Sequence, residues 1–167
     1  LKKANANIKI NNLRKISGEL MGSITILSSK LKPIVISKDI GKFIDELPIL
    51  FIIAALTKGT SKFKNIGDLK NKESNRLLES KKILVQAGIK CKITKDAMTI
   101  YGKNKIETQN RTILVKAKGD HRICMSSAIL ALITGMRTKI NNFETVNTSF
   151  PGFISLMRSL GGKIAIK

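Results

Sequence analysis

The sequence has no tryptophan, one tyrosine and six phenylalanines, so aromatic residues make up only 4% of it. Proteins that hold single-stranded nucleic acid combine a basic groove with aromatic platforms for the bases. With few aromatics to interleave and no dense run of lysines, the composition argues against that class. Acidic residues are also scarce. Eleven of them face 31 lysines and arginines, giving a formal net charge of +20. Such an excess suits anionic partners: nucleic acid, acidic membranes, or phosphorylated and carboxylated small molecules. Part of it is discounted, because lysine, asparagine and isoleucine are abundant together, as an AT-rich coding sequence produces without selection for binding.

Cysteine and histidine are nearly missing. Cys91 and Cys124 stand apart, without CxxC or Cys/His spacing, which argues against a zinc site or redox pair and makes a reducing compartment the default. The most apolar run, Leu47–Leu56, is far too short to span a bilayer. Leu1-Lys2-Lys3-Ala4-Asn5 lacks the apolar core and cleavage site of a signal peptide. No Walker loop, dinucleotide fingerprint or nucleophile elbow occurs, so nothing points to a nucleotide or a covalent serine or cysteine intermediate. An apolar fraction of 43% in 167 residues is enough for one domain with a real core or two small lobes. The expectation is a soluble, monomeric, cytoplasmic protein.

The order of elements repeats. Leu84–Ile93 ends a helix at Gly88 and enters a strand; Met157–Ile166 does the same at Gly161; Leu1–Ile10 fits a third time, with Asn5 at the glycine position. Glycine and asparagine both tolerate the left-handed backbone of a helix C-cap. Upstream of the two glycine caps, a β-rich segment (Ile34–Ile36; Ile113–Val115) leads through a charged turn into an apolar helix (Glu46–Thr57; His121–Thr134). A second strand (Thr60–Ile66; Thr138–Phe143) and a second helix (Lys72–Gln86; Pro151–Leu160) follow. Strand pairs separate the units: Ile8–Ile10 with Ser23–Ile26, and Lys90–Ile93 with Met98–Tyr101 across an Asp96-Ala97 turn. The expected class is α/β, in βαβαββ-type units: the tail of one unit over 1–30, a second over 31–105 and a third over 106–167. Because the chain opens where a helix should be finishing, the expectation is that the first unit is truncated and something N-terminal to Leu1 is missing.

Three charged turns fall at predicted helix starts. Asp45-Glu46-Leu47-Pro48 precedes the first, where Asp45 is a natural N-cap. Lys72-Glu73-Ser74-Asn75-Arg76 opens the second, where Lys72 and Arg76 would stack at i,i+4 against an already positive helix dipole unless an anion sits between them. Asp120-His121-Arg122 opens the third, with Asp120 able to cap and His121 the sole histidine. Each turn alone reads as a solvated or capping turn. Together they supply arginines suited to gripping a carboxylate or phosphate, and carboxylates suited to proton transfer with a bound anion.

These stretches, with Gly119–Met125 and Asn147-Thr148-Ser149-Phe150-Pro151, occur in the order and approximate spacing of the 5-enolpyruvylshikimate-3-phosphate synthase (3-phosphoshikimate 1-carboxyvinyltransferase) family, which the chain resembles over its whole length. The resemblance reaches only that family's C-terminal part, which leaves this chain as one incomplete lobe and implies that an N-terminal lobe is missing. It implies the enolpyruvyl transferase fold, with inverse α/β lobes of three similar units closing over the substrates. It also implies transfer of enolpyruvyl from phosphoenolpyruvate to the 5-hydroxyl of shikimate 3-phosphate, on the route to chorismate, without metal or organic cofactor. Asp45 would then contact shikimate 3-phosphate and accept its hydroxyl proton, with Lys72 at the same substrate. Glu73 would handle the methylene proton. Arg76 and Arg122 would hold phosphoenolpyruvate, with His121 nearby. Asn75 stands where the family usually has aspartate, and Thr148 where some members carry a phosphoenolpyruvate-binding lysine. The resemblance also implies that these residues need the absent lobe to work. The competing readings are a non-catalytic basic module for nucleic acid and a sister enolpyruvyl transferase acting on a UDP-sugar.

Overall fold

A computed structural model describes residues 1–108 and 112–165. Leu1 to Asn5 forms one turn around Lys2–Ala4, closed by Asn5 in the left-handed conformation (φ 69°), as the repeat requires. Strands β1 (Asn7–Ile16) and β2 (Glu19–Leu27) then pair antiparallel into an isolated ribbon, longer than the sequence pattern predicts.

The middle of the chain builds a four-stranded sheet in the order β3-β4-β6-β5, from β3 (Val35–Ile36), β4 (Gly59–Phe63), β5 (Lys90–Ile93) and β6 (Met98–Gly102). Helix α1 (Leu47–Ala55) connects the parallel pair β3 and β4, and α2 (Arg76–Gln86) leads to the β5–β6 hairpin. The apolar residues of α1 fit it for burial on most sides, and Leu47, Phe51, Ile52, Ala54 and Ala55 are all in the core. Phe51 meets Phe63 of β4 edge to face, with ring centroids 4.9 Å apart. Where β6 ends against the last turn of α1, a Cβ on Gly102 would lie 2.1 Å from the carbonyl oxygens of Ala54 and Thr57, so only glycine lets strand and helix approach this closely.

The last third repeats the scheme with parallel strands β7 (Thr112–Lys116) and β8 (Arg137–Asn141), connected by α3 (His121–Thr134) and followed by α4 (Phe153–Ser159). Gly135 closes α3 at φ 69°. Lys163–Ala165 form no strand, and the rest of the expected closing strand, Ile166, lies outside the described residues. Helices α1, α2 and α3 pack on one another, so their N-terminal turns come together from distant parts of the sequence. No helix among the described residues is long and apolar enough to cross a membrane.

Period-two alternation sends Ser61, Phe63, Cys91, Met98 and Ile100 inward and Thr60, Lys62, Lys64, Lys90, Lys92, Thr99 and Tyr101 outward. Lys62, Thr99 and Lys92 share one cross-strand row, and Thr60, Tyr101 and Lys90 the next. The lysines that look dispersed in sequence therefore collect on the outer face of this sheet.

Candidate active site

The three charged turns converge. Arg76 is the first residue of α2, and its side chain is only 1% exposed. Each of its guanidinium nitrogens meets a different carboxylate: Nε donates to Asp120 Oδ2 at 2.8 Å, Nη1 to Asp45 Oδ1 at 2.8 Å, and Nη2 to Glu73 Oε2. Desolvation works against this cation, but the hydrogen bond to Asp120 and the charges of Asp120, Glu73 and Asp45 outweigh it, so its pKa lies above the ordinary arginine value.

Asp120 is fully buried and completely satisfied. Its Oδ1 caps α3 by accepting from the Arg122 and Ile123 amides (3.1 and 3.3 Å), as the sequence predicts. Its Oδ2 accepts from Arg76 and from Ser74 Oγ (2.9 Å). That second role, and Ser74 as its donor, were not visible in sequence; a serine two residues before a helix looks like any turn residue.

Two sequence expectations are corrected. Lys72 is in extended backbone (ψ −171°) and α2 starts only at Arg76, so Lys72 and Arg76 do not stack along one helix face. They converge instead on one carboxylate oxygen, Asp45 Oδ1, which lies 3.0 Å from Lys72 Nζ and 2.8 Å from Arg76 Nη1. The anion that the like charges call for is thus supplied by the protein. For the same reason Asp45 is not an N-cap: it sits in a 3-10 turn (Ile44–Glu46) before α1, and no side chain caps that helix. The hydrogen bond from Lys72, reinforced by the charges of Lys72, Arg122 and Arg76 and opposed by partial burial, holds the Asp45 carboxyl below its usual range.

Asn75 is the true N-cap of α2, accepting from the Leu78 amide at 3.0 Å. Arg122 crosses to the first turn, donating from Nη1 to the Asp45 carbonyl (3.0 Å) and to Glu46 Oε1 (3.2 Å), and stays 31% exposed. His121 opens α3 half-buried, with no hydrogen bond from its ring among the described residues. Thr148 turns back on Thr145 O at 2.8 Å and is not drawn into the cluster. Three cations (Lys72, Arg76, Arg122) thus face four carboxylates (Asp45, Glu46, Glu73, Asp120), so the carboxylates outnumber the cations by one and the cluster is not an open anion trap. Beside it a cavity of about 240 Å³ runs past Asp45, Glu46 and Arg122 to Pro48, Met125, Phe150 and Phe153.

Comparison with known proteins supplies the family. A 3-phosphoshikimate 1-carboxyvinyltransferase of Paramagnetospirillum magneticum is 33% identical over 161 residues, covering 96% of this chain and 36% of the relative. The protein of the same name from Bacillus pumilus is 38% identical over 154 residues, covering 92% and 35%. This chain therefore spans little more than a third of the length of these relatives. The structure of EPSP synthase from Acinetobacter baumannii superposes with a TM-score of 0.86 at 34% identity, covering all of this chain and 39% of that one. The enolpyruvyl transferase NikO from Streptomyces tendae, at 16% identity and a TM-score of 0.70, shares the fold. With the family model for EPSP synthase (3-phosphoshikimate 1-carboxyvinyltransferase) matching residues 1–157 as well, the chain belongs to that family.

Proposed function

We propose that this chain supplies one wall of a 3-phosphoshikimate 1-carboxyvinyltransferase active site, working in the cytoplasm and only together with the remainder of the family fold. The reaction moves the enolpyruvyl group of phosphoenolpyruvate to the 5-hydroxyl of shikimate 3-phosphate and releases phosphate. One observation carries the reading: Asp45, Lys72, Glu73, Arg76 and Arg122, from three separate stretches, lie in one connected hydrogen-bonded cluster.

Asp45, kept ionised by Lys72, is the acceptor for the hydroxyl proton, and Lys72 also faces the phosphorylated sugar acid. Glu73, half exposed, handles the methylene proton. Arg122, partly exposed and engaged only through Nη1 among the described residues, is the arginine best placed to receive phosphoenolpyruvate, with His121 beside it. Arg76 is buried under three carboxylates, so it orients Asp45 and Glu73 in this arrangement and reaches phosphoenolpyruvate only if Glu73 swings away. Fixed charges of both signs suit a reaction that brings two polyanions together and moves protons between them.

The test is phosphate release from the two substrates when this chain is joined to the rest of a family member. Glu73→Gln and Arg122→Ala are each expected to lower turnover by about 10²–10⁴-fold. A near-normal rate in either removes that residue's role, and turnover with a UDP-sugar in place of shikimate 3-phosphate would assign the sister activity. A second reading, a polyanion-binding module, is favoured by the basic outer face at Lys62, Lys64, Lys90 and Lys92. Salt-dependent nucleic-acid binding that persists without Arg76 and Arg122 would support it.

A further inference from the structure

Between β7 and α3 the chain turns sharply. The Asp120 amide donates to the Ala117 carbonyl at 3.0 Å, and both residues in between are in left-handed backbone, Lys118 at φ 55° and Gly119 at φ 80°. Turns with two such central residues favour glycine, asparagine and aspartate there. Glycine meets that demand at 119, but a lysine in this conformation costs roughly 1–2 kcal/mol. A residue of this kind persists where its surroundings hold it, and such places gather at functional sites. Here the residues that follow at once are Asp120, His121 and Arg122, so the turn aims one side of the charged cluster.

The turn is held from two sides. Thr145 Oγ1, in the 3-10 turn Phe143–Thr148, donates to the Gly119 carbonyl at 2.8 Å. On the other side Lys118 Nζ lies 3.1 Å from Glu79 Oε1 of α2. Lys118 is exposed, and a pair between two exposed partners would be worth little. Glu79 is different: its side chain is only 5% exposed, and a buried carboxylate needs cations around it. Lys118 supplies one, and Lys82, one turn further along α2, donates to the same oxygen at 3.1 Å. Arg76 and Glu79 are three residues apart and so neighbours on the surface of α2. Arg76 grips Asp120 and Glu79 grips Lys118, a cation on the helix with an anion on the turn and then the reverse. One contact would leave the start of α3 free to pivot. Two contacts of opposite polarity fix both its distance from α2 and its rotation, and that rotation sets how Arg122 crosses to the Asp45 carbonyl and Glu46.

We propose that Glu79 is a positioning residue, which through Lys118 holds the entry turn of α3 so that Arg122 faces the Asp45 turn. The inference rests on the reading of Arg122 as the arginine that receives phosphoenolpyruvate. Glu79 and Lys118 stand outside the hydrogen-bonded cluster and act through the backbone that carries Asp120 and Arg122.

The experiment combines steady-state kinetics with amide hydrogen exchange on this chain joined to the rest of a family member. Glu79→Gln and Lys118→Met should each raise the phosphoenolpyruvate KM about tenfold, with kcat and the shikimate 3-phosphate KM held within about twofold. The double variant should be no worse than either single one, because both break the same contact. Lys82→Met takes a cation from the same carboxylate without touching the turn and should leave KM alone. A merely structural role would lower the amount of folded protein, and with it kcat, while sparing KM. An unchanged phosphoenolpyruvate KM in both single variants, or an equal rise with Lys82→Met, would overturn the proposal. Exchange separates its fate from that of the catalytic reading. The Arg122 and Ile123 amides, which Asp120 caps, should exchange about tenfold faster in Glu79→Gln while β4 and β6 stay protected. If the joined protein without substitutions turns nothing over, the catalytic reading falls and exchange alone decides: equal protection of these amides with and without Glu79→Gln would overturn the positioning role.

Discussion

Arg76 and Asp120, 44 residues apart, form an ion pair at 2.8 Å in which both side chains are almost wholly withdrawn from water. The pair ties the first turn of α2 to the first turn of α3. Because Asp45 and Glu73 lean on the same guanidinium, it also sets where two exposed carboxylates point. A buried pair of this kind contributes little net stability against a well-packed apolar substitute, but breaking it on one side is costly.

Asp120→Ala is therefore expected to lower the unfolding free energy by about 3 kcal/mol, because it takes from the buried Arg76 one of its three carboxylates and uncaps α3 together. Asp120→Asn, which keeps an oxygen for the α3 amides, should cost clearly less. Urea denaturation of the two variants checks this, and a loss under about 0.5 kcal/mol for the alanine would show that the pair locks nothing.

Asp45 gives the cluster its pH dependence. Its carboxyl pKa is lowered, first through the Lys72 hydrogen bond, so the ionised form is favoured in the folded state. Unfolding releases that preference, and a depressed acid stabilises the fold above the unfolded-state value of about 3.9. Its contribution is thus fully present at neutral pH and is lost as pH falls below that value through the folded one. Asp45 is 41% exposed, so the effect on stability is small and is better read at the carboxyl itself. In a carboxyl-carbon NMR titration, Lys72→Gln should move the Asp45 midpoint upward; an unmoved midpoint would assign the shift to another neighbour.

Much of this fold was legible because periodicity and caps are local signals. The spacing predicts a helix over His121–Thr134, and α3 has those ends, since Asp120 caps one and Gly135 the other. The sequence places the start of α2 four residues early, because the charged stretch from Lys72 reads as the first turn of the helix that the apolar run from Leu77 continues. A 3-10 turn over Gly67–Asn71 and the extended Lys72 intervene, and Asn75, which reads as a lost charge, turns out to be the cap. The charged cluster was legible as three turns but not as an arrangement. Nothing local says that Asp45 faces Lys72 and Arg76 instead of its own helix, or that Asp120 spends its second oxygen on Ser74 and Arg76. Both follow from helices α1, α2 and α3 packing together, which is a tertiary fact.

The two thiols offer a probe of the packed core. Burial pushes Cys124 up to about 12, with Asp120 and Glu144 adding to it, and burial likewise raises Cys91. Since the thiolate is the reactive form, neither should react with a disulfide reagent at pH 8 in the folded protein, and both should react promptly in denaturant. Immediate modification of Cys124 without denaturant would mean that α3 does not pack as described.

Asn75 offers the cleanest separation of local structure from site chemistry. Its side-chain oxygen accepts from the Leu78 amide, satisfying one of the four free amides at the start of α2, while the Arg76 guanidinium is bonded to Asp45, Glu73 and Asp120. Asn75→Ala is expected to destabilise the chain by about 1 kcal/mol, the usual worth of a lost N-cap. Asn75→Asp keeps an acceptor in place and puts negative charge where the helix dipole favours it, so it should leave stability unchanged or slightly raised. Thermal or urea unfolding of the two variants decides the point. Equal losses for alanine and aspartate would show that the amide group, and not the capping oxygen, is what this position requires.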